Sequence, residues 1–327
     1  MRYEKFDILR GFAIIAVVLI HVTAPLATDG DVVAIIINQI SRFAVPVFFI
    51  LSGWGLTVAE SYEKSEGYWD FLKARFLGVF PQYILWNFIY LAYSDVWTVE
   101  SLGEFIQALL LGTIYNHLYF VPVILALYVV YPLVLKYVNK VWVSISLLIT
   151  IISQISEIWI QHEYFYMNRN IFNWIFYFIF GVWLAKDFRN YIERLQKYKL
   201  PIYVGLVISV IPVLLTPFLV GDTFDYNLTL ASTRPTVIFY SIMVVLFMIV
   251  ARFEHEKINN IMLTLSKYSF YIYLSHYLFL SLTRRVYLDL ELDIVSILYI
   301  SILLVIVTII SLAAGKLIRR GEKKIGL

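Results

Sequence analysis

Runs of about 20 apolar residues recur along this chain, and no other feature restricts its fold as much. At about 1.5 Å of rise per residue, such a run makes a helix long enough to cross the hydrocarbon of a bilayer. Ten candidates can be drawn, over 8–27, 36–58, 74–93, 117–136, 141–160, 171–186, 201–220, 235–252, 268–284 and 294–316, of which 171–186 is short. Helices satisfy their own backbone where there is no water to do it. The expectation is an all-α, polytopic membrane helix bundle of about ten transmembrane helices. Composition agrees: 15% charged residues against 61% hydrophobic, with a mean hydropathy of +0.79, leave too little charge to cover a soluble globule of 327 residues. Phe105 to Leu111, following Asp95, Glu100 and Glu104, is too short to span and is expected along the interface. No internal repeat, low-complexity tract or soluble domain interrupts residues 1–327, which read as one membrane domain.

Orientation follows from the Lys and Arg residues, which concentrate on the cytoplasmic side. With ten spans and both termini inside, all 26 except Arg42, Arg169, Arg234, Arg284 and Arg285 fall on the inner face. Those five stand at or near the outer ends of spans. Arg2 and Lys5 before an apolar run resemble a signal peptide, but Asp7 and Arg10 interrupt the pattern and Pro25-Leu26-Ala27 is a poor cleavage site, so a retained helix is expected. The absence of cysteine excludes disulfides, thiolate nucleophiles and Cys-based metal sites. A net charge of +3 spread over short loops gives no surface for nucleic acid.

The first run carries the most informative polar residues. Arg10 and His21 are 11 residues apart, close to three helical turns, so they share a face about 16 Å apart along the axis, and Asp7 falls within about 40° of the same line. Ionisable groups at membrane depth are costly and usually face a bundle interior or an aqueous cavity. In the second run Asn38 and Arg42, four apart, share a face, and Pro46 frees a backbone carbonyl. Lys73 and Arg75 open the third run on the cytoplasmic side, where anionic lipid or a phosphorylated donor are both suitable partners. His117, Tyr128 and Tyr131 repeat the spacings of a single helical face, as do Ser269, Tyr273 and His276. Glu157, near the outer interface, is expected to be solvated. No H-E-x-x-H, P-loop or G-x-S-x-G is present, and the histidines are too dispersed to form a metal site.

Four stretches together resemble a known family: D-x-L-R-G-x-A-I-x-x-V-x-x-x-H from Asp7 to His21, R-x-x-V-P-V-F-F-x-L-S-G from Arg42 to Gly53, H-L-Y-F-V-P-V-x-x-x-L-Y-x-x-Y-P from His117 to Pro132, and L-S-K-Y-S-F-Y-I-Y-L-S-H from Leu265 to His276. Their order and content are similar to the integral-membrane acyltransferase 3 family, and to the branch that includes the enterobacterial common antigen O-acetyltransferase and the intercellular-adhesin polysaccharide O-acyltransferase. The resemblance implies that an acyl group, acetyl first, passes from cytosolic acyl-CoA to a hydroxyl of a cell-surface polysaccharide or lipid-linked glycan. It implies a bacterial cytoplasmic membrane protein with acetyl-CoA as co-substrate and no permanently bound cofactor. It makes His21 the catalytic histidine, Arg10 its helix-mate toward the cytosol and Arg75 the first cation of a basic motif on the third run. Read from the residues themselves, His21 is suited to act as general base with Asp7 and Arg10 on its face, and Arg10, Lys73 and Arg75 are cations suited to the donor's phosphates. Asn38, Arg42, His117, Tyr128 and His276 are left for the acceptor. Gly78 stands where many members have a second arginine, three residues after the first. Two other readings stay open on the residues alone: a glycan or lipid exporter using the same polar face, and a scaffold partner of polysaccharide-synthesis machinery.

Overall fold

Each of the ten apolar runs has helix among its described residues in the computed structural model, which describes residues 3–93, 101–157, 167–220, 229–290 and 295–324. In chain order the helices are α1 (Glu4–Thr28), α2 (Val32–Ile40), α3 (Ala44–Val58), α4 (Tyr68–Leu77), α5 (Phe80–Tyr93), α6 (Leu102–Leu111), α7 (Phe120–Tyr137), α8 (Lys140–Ser156), α9 (Ile175–Lys186) and α10 (Phe188–Gln196). There follow α11 (Lys199–Val220), α12 (Pro235–Val250), α13 (Glu256–Lys267), α14 (Ser269–Asp289) and α15 (Ser296–Lys324), and the described residues hold no strand.

Five segments are long and apolar enough to cross a membrane: Glu4–Thr28, Val32–Val58, Phe120–Tyr137, Lys199–Val220 and Ser296–Glu322. That is half the number expected from the sequence. Helices α8, α9 and α12 are apolar but only 17, 12 and 16 residues long. Helix α14 has 21 residues, but its serines, tyrosines, His276 and two arginines dilute its apolar character. The run 74–93 is not one helix: α4 stops at Leu77 and α5 begins at Phe80. Pro81 has no N–H to offer the Leu77 carbonyl, and Gly78 is a weak helix former, so the break falls between them. Pro46 acts similarly on the second run. It has no N–H to offer the carbonyl of Arg42, four residues before it, and the chain tightens into a 3-10 turn over Ser41–Phe43. At that junction the Tyr240 hydroxyl donates to the Ile40 carbonyl at 2.7 Å.

The helices form two compact units, one of Phe49–Tyr191 with Thr233–Pro235, the other of Arg2–Phe48, Ile192–Ser232 and Thr236–Leu327. The first has an aromatic core: Trp174, fully buried, stacks on Phe49 with centroids 4.8 Å apart, and Phe71 stacks on Tyr131 at 5.5 Å. Here α3 and α9 cross with their backbones in contact. A Cβ on Gly53 would lie 2.3 Å from the Phe178 carbonyl oxygen, and one on Gly181 2.1 Å from that of Ile50, so only glycine permits the approach.

In the second unit α1 is the central helix, packed on α2, α13, α14 and α15. Gly11 does for α1 and α13 what Gly53 does for α3 and α9, since a Cβ there would meet the Met262 carbonyl oxygen at 2.3 Å. Lys5 donates to the carbonyls of Ile249 and Ala251, each at 2.7 Å, closing the end of α12. Asp31 begins α2, one oxygen accepting the Ala34 N–H at 2.7 Å and the other the Ser296 hydroxyl at the start of α15. Those two bonds, Ser296 first, hold its carboxyl below the usual carboxylate range.

Asp31→Ala is therefore expected to cost about 1 kcal/mol, read as the Tm of the purified protein in detergent. A carboxyl that titrates lower in the folded chain than in the unfolded one contributes stability above the unfolded pKa and loses it as the pH falls through the folded value. The Tm gap between wild type and Asp31→Ala is thus expected at neutral pH and to close in acid.

Candidate active site

Three residues of α1 share the polar face expected from their spacing, and two of them pair at its entrance. Arg10 and Asp7 form an ion pair at 3.5 Å with side chains 32% and 17% exposed. Eleven residues on, His21 is half-buried, and its ring lies against two aromatic rings of α14. The His276 centroid is 5.0 Å away, and Tyr277 presents its ring edge-on at 5.4 Å.

His276 itself is fully buried. Its Nδ1 lies 2.7 Å from the Tyr273 carbonyl oxygen and 3.2 Å from that of Ile272. A carbonyl only accepts, so Nδ1 carries the hydrogen, and a neutral His276 keeps its lone pair on Nε2.

The α1 backbone around His21 is also held from outside the helix. The buried Asn38 amide donates to the Ile20 carbonyl at 3.0 Å and to the Thr23 hydroxyl at 2.8 Å. Its carbonyl accepts from Arg42 Nε at 2.9 Å and from Arg42 Nη2, so both ends of the amide are used. Asn38 and Arg42 thus meet as their spacing suggests, although a 3-10 turn begins between them. From α14, Arg284 Nη2 donates to the carbonyls of His21 at 2.7 Å and Val22 at 2.9 Å.

Asp7, Arg10, His21, Asn38, Arg42 and His276 belong to the second unit, and Lys73, Arg75, His117 and Tyr128 to the first. Lys73 is exposed, and the Arg75 guanidinium stands 6.0 Å from the Phe71 ring centre. His117 is not on the helical face expected of it. It precedes α7 and is buried, with the rings of Tyr90 at 5.2 Å and Tyr115 at 6.2 Å. Tyr128 is half-buried with its ring 6.3 Å from Phe178, and the Tyr131 hydroxyl donates to Thr57 at 3.3 Å. Glu157, expected to be solvated, is instead 3% exposed and accepts hydrogen bonds from Asn173 at 2.7 Å and Asn170 at 3.2 Å. Two amides on the following segment replace its water.

Sequence spacing alone does not single out Tyr277 and Arg284 as neighbours of His21. A signal is present, since they are seven apart and share a helical face. An arginine near the outer end of a span reads first as an interfacial anchor, which hides it. Among the described residues no group of three or more His, Asp or Glu could hold a metal ion.

Comparison with known proteins supplies what geometry alone does not. The profile of the acyltransferase domain family matches residues 3–316, nearly the whole chain. The chain belongs to this family. Staphylococcus aureus proteins named as poly-beta-1,6-N-acetyl-D-glucosamine export protein are 28% identical over 260 residues, covering 73% of this chain and 69% of theirs. The Bacillus subtilis protein named as membrane-bound acyltransferase YfiQ is 26% identical over 313 residues, covering 86% and 82%. A Staphylococcus epidermidis protein, again named as the export protein, is 24% identical over 301 residues, covering 84% and 81%. No solved structure matches the chain. This family member is a membrane protein, and its first motif, Asp7 to His21, is the helix at the centre of the second unit.

Proposed function

We propose that this acyltransferase moves an acetyl group from acetyl-CoA to a hydroxyl of a cell-surface polysaccharide or its lipid-linked precursor, at the bacterial cytoplasmic membrane, with His21 as general base. The observation that carries the reading is His21 set against His276, in a chain of this family whose relatives are named for acyl transfer and for a polysaccharide.

A sugar hydroxyl is a poor nucleophile at neutral pH and needs its proton taken as it attacks. In the proposal His21 takes that proton while the sugar oxygen bonds to the thioester carbonyl carbon. The tetrahedral oxyanion that forms collapses, the carbon–sulfur bond breaks, and the imidazolium returns the proton to the departing CoA sulfur. The products are an ester on the glycan and free CoA. His276, with Nδ1–H held on the Tyr273 carbonyl, offers Nε2 as acceptor for an N–H of His21, the arrangement of a base oriented by a third group. Arg42, held on Asn38, is the cation proposed for the oxyanion or the acceptor, and Arg10 is the one proposed for the donor phosphates.

The test uses purified protein, radiolabelled acetyl-CoA and poly-N-acetylglucosamine as acceptor. His276→Ala is expected to lower kcat on the order of 10²-fold with the donor KM little changed. An unaltered kcat in that variant removes His276 from the mechanism.

A second reading, export of a polysaccharide, is favoured by the names of the staphylococcal relatives. Vesicles that accumulate labelled polysaccharide without acetylating it select this reading over acyl transfer.

A further inference from the structure

Pro25 lies within α1 and carries no N–H. In an α-helix the N–H of residue i bonds the carbonyl of residue i−4, so the group that Pro25 leaves without a donor is the carbonyl of His21. Buried carbonyls need partners, above all at membrane depth. The partner is Arg284, whose Nη2 reaches that carbonyl at 2.7 Å and the next one, Val22, at 2.9 Å. On the preceding residue Asn38 takes the Ile20 carbonyl at 3.0 Å. Three successive carbonyls, centred on His21, are therefore held by side chains from two other helical segments.

We propose that Arg284 is a positioning residue for His21: it clamps the carbonyl freed by Pro25 and so fixes where the imidazole stands. As a positioning role in acyl transfer, this rests on His21 being the base. Pinning the His21 backbone sets the direction of its Cα–Cβ bond, and with it the approach of the ring to His276. A charged donor on two adjacent carbonyls is a strong, directional clamp. A shift of about 1 Å at a reacting group can cost about 10²-fold in rate.

The proposal makes Arg284 and Pro25 a coupled pair, which double-mutant analysis can read. Arg284→Met removes the clamp while keeping much of the side-chain volume. Pro25→Ala restores an N–H that can close onto the His21 carbonyl, replacing the clamp. The variants Arg284→Met, Arg284→Lys and Pro25→Ala, and the double variant Pro25→Ala/Arg284→Met, are purified and compared for Tm and for acyl-transfer kinetics.

Arg284→Met is expected to lower kcat by about 10²-fold with both KM values little changed, and to lower Tm. In the Pro25→Ala background the same substitution is expected to lower both much less, and Arg284→Lys to retain most of kcat. If Arg284→Met fails to fold and the double variant folds, the coupling is shown directly. Equal losses in the two backgrounds, or a double variant that also fails to fold, overturn the proposal. The Tm comparison needs no substrate: coupling in Tm without any acyl transfer by wild type would retain the clamp and reject the reaction assigned to His21.

Discussion

His21→Ala lowers kcat for acyl transfer by about 10²–10⁴-fold, the range that positioned general-base help supplies, while the protein stays folded. Both halves of that expectation follow from the surroundings of the side chain. The ring is half-buried, and Arg284 bonds the backbone carbonyl of the residue, which alanine also has. Arg284 therefore still finds its acceptors in the variant, and Asn38 still finds the Ile20 carbonyl and Thr23. What is lost is the imidazole facing His276 and Tyr277. Kinetics on the purified variant, with Tm as the control for folding, check this. A Tm near that of wild type with kcat intact would remove His21 as the base.

Gly11→Ala is expected to have a large effect on the fold of the second unit. One methyl group on α1 would come within 2.3 Å of the Met262 carbonyl oxygen and 2.8 Å of its carbonyl carbon and Cα. These are backbone atoms of α13, which cannot swing aside as the end of a flexible side chain can. Either α1 and α13 separate, or one of them bends. Overpacking of this kind typically costs about 1–3 kcal/mol, and rigid helix–helix contact places this site at the upper end. Thermal unfolding in detergent measures it. Activity is expected to fall as well, since α1 carries His21 and a displaced helix moves the base away from α14. A Tm unchanged in Gly11→Ala would show that the two helices do not approach as described.

Much of the first helix is legible in the sequence. The spacing of Asp7, Arg10 and His21 puts them on one face because a helix turns by a fixed angle per residue, and the ion pair of Asp7 with Arg10 is that regularity at short range. Asn38 and Arg42 are legible for the same reason. The pairing of His21 with His276 is not, because it depends on how α14 packs on α1 across more than 250 positions of sequence, and periodicity within one helix says nothing about its neighbour. Position along the chain misleads for Glu157. Asn170 and Asn173 bury it, and amides that far along the chain give no local sign. For His117 the spacing points to a face of a helix that starts only afterwards, at Phe120. The break between α4 and α5 is not legible either: 74–93 reads as one apolar run, and Pro81 denies a donor to Leu77 only as a proline inside an unbroken helix such as α1 also does to the fourth residue before it. The same rule applied to Pro25 points at His21.

The most direct measurement of the central claim is the fate of the acyl label with wild-type protein. Purified protein in detergent is incubated with acetyl-CoA labelled in the acetyl carbonyl and with poly-N-acetylglucosamine, and the polymer is then separated and treated with mild alkali. Acyl transfer with His21 as base predicts label on the polymer, released by alkali as acetate because it is held as an ester, and lost in His21→Ala. Polymer that stays unlabelled across a range of acyl donors and glycan acceptors, while sealed vesicles bearing the same protein take the polymer up, would contradict it.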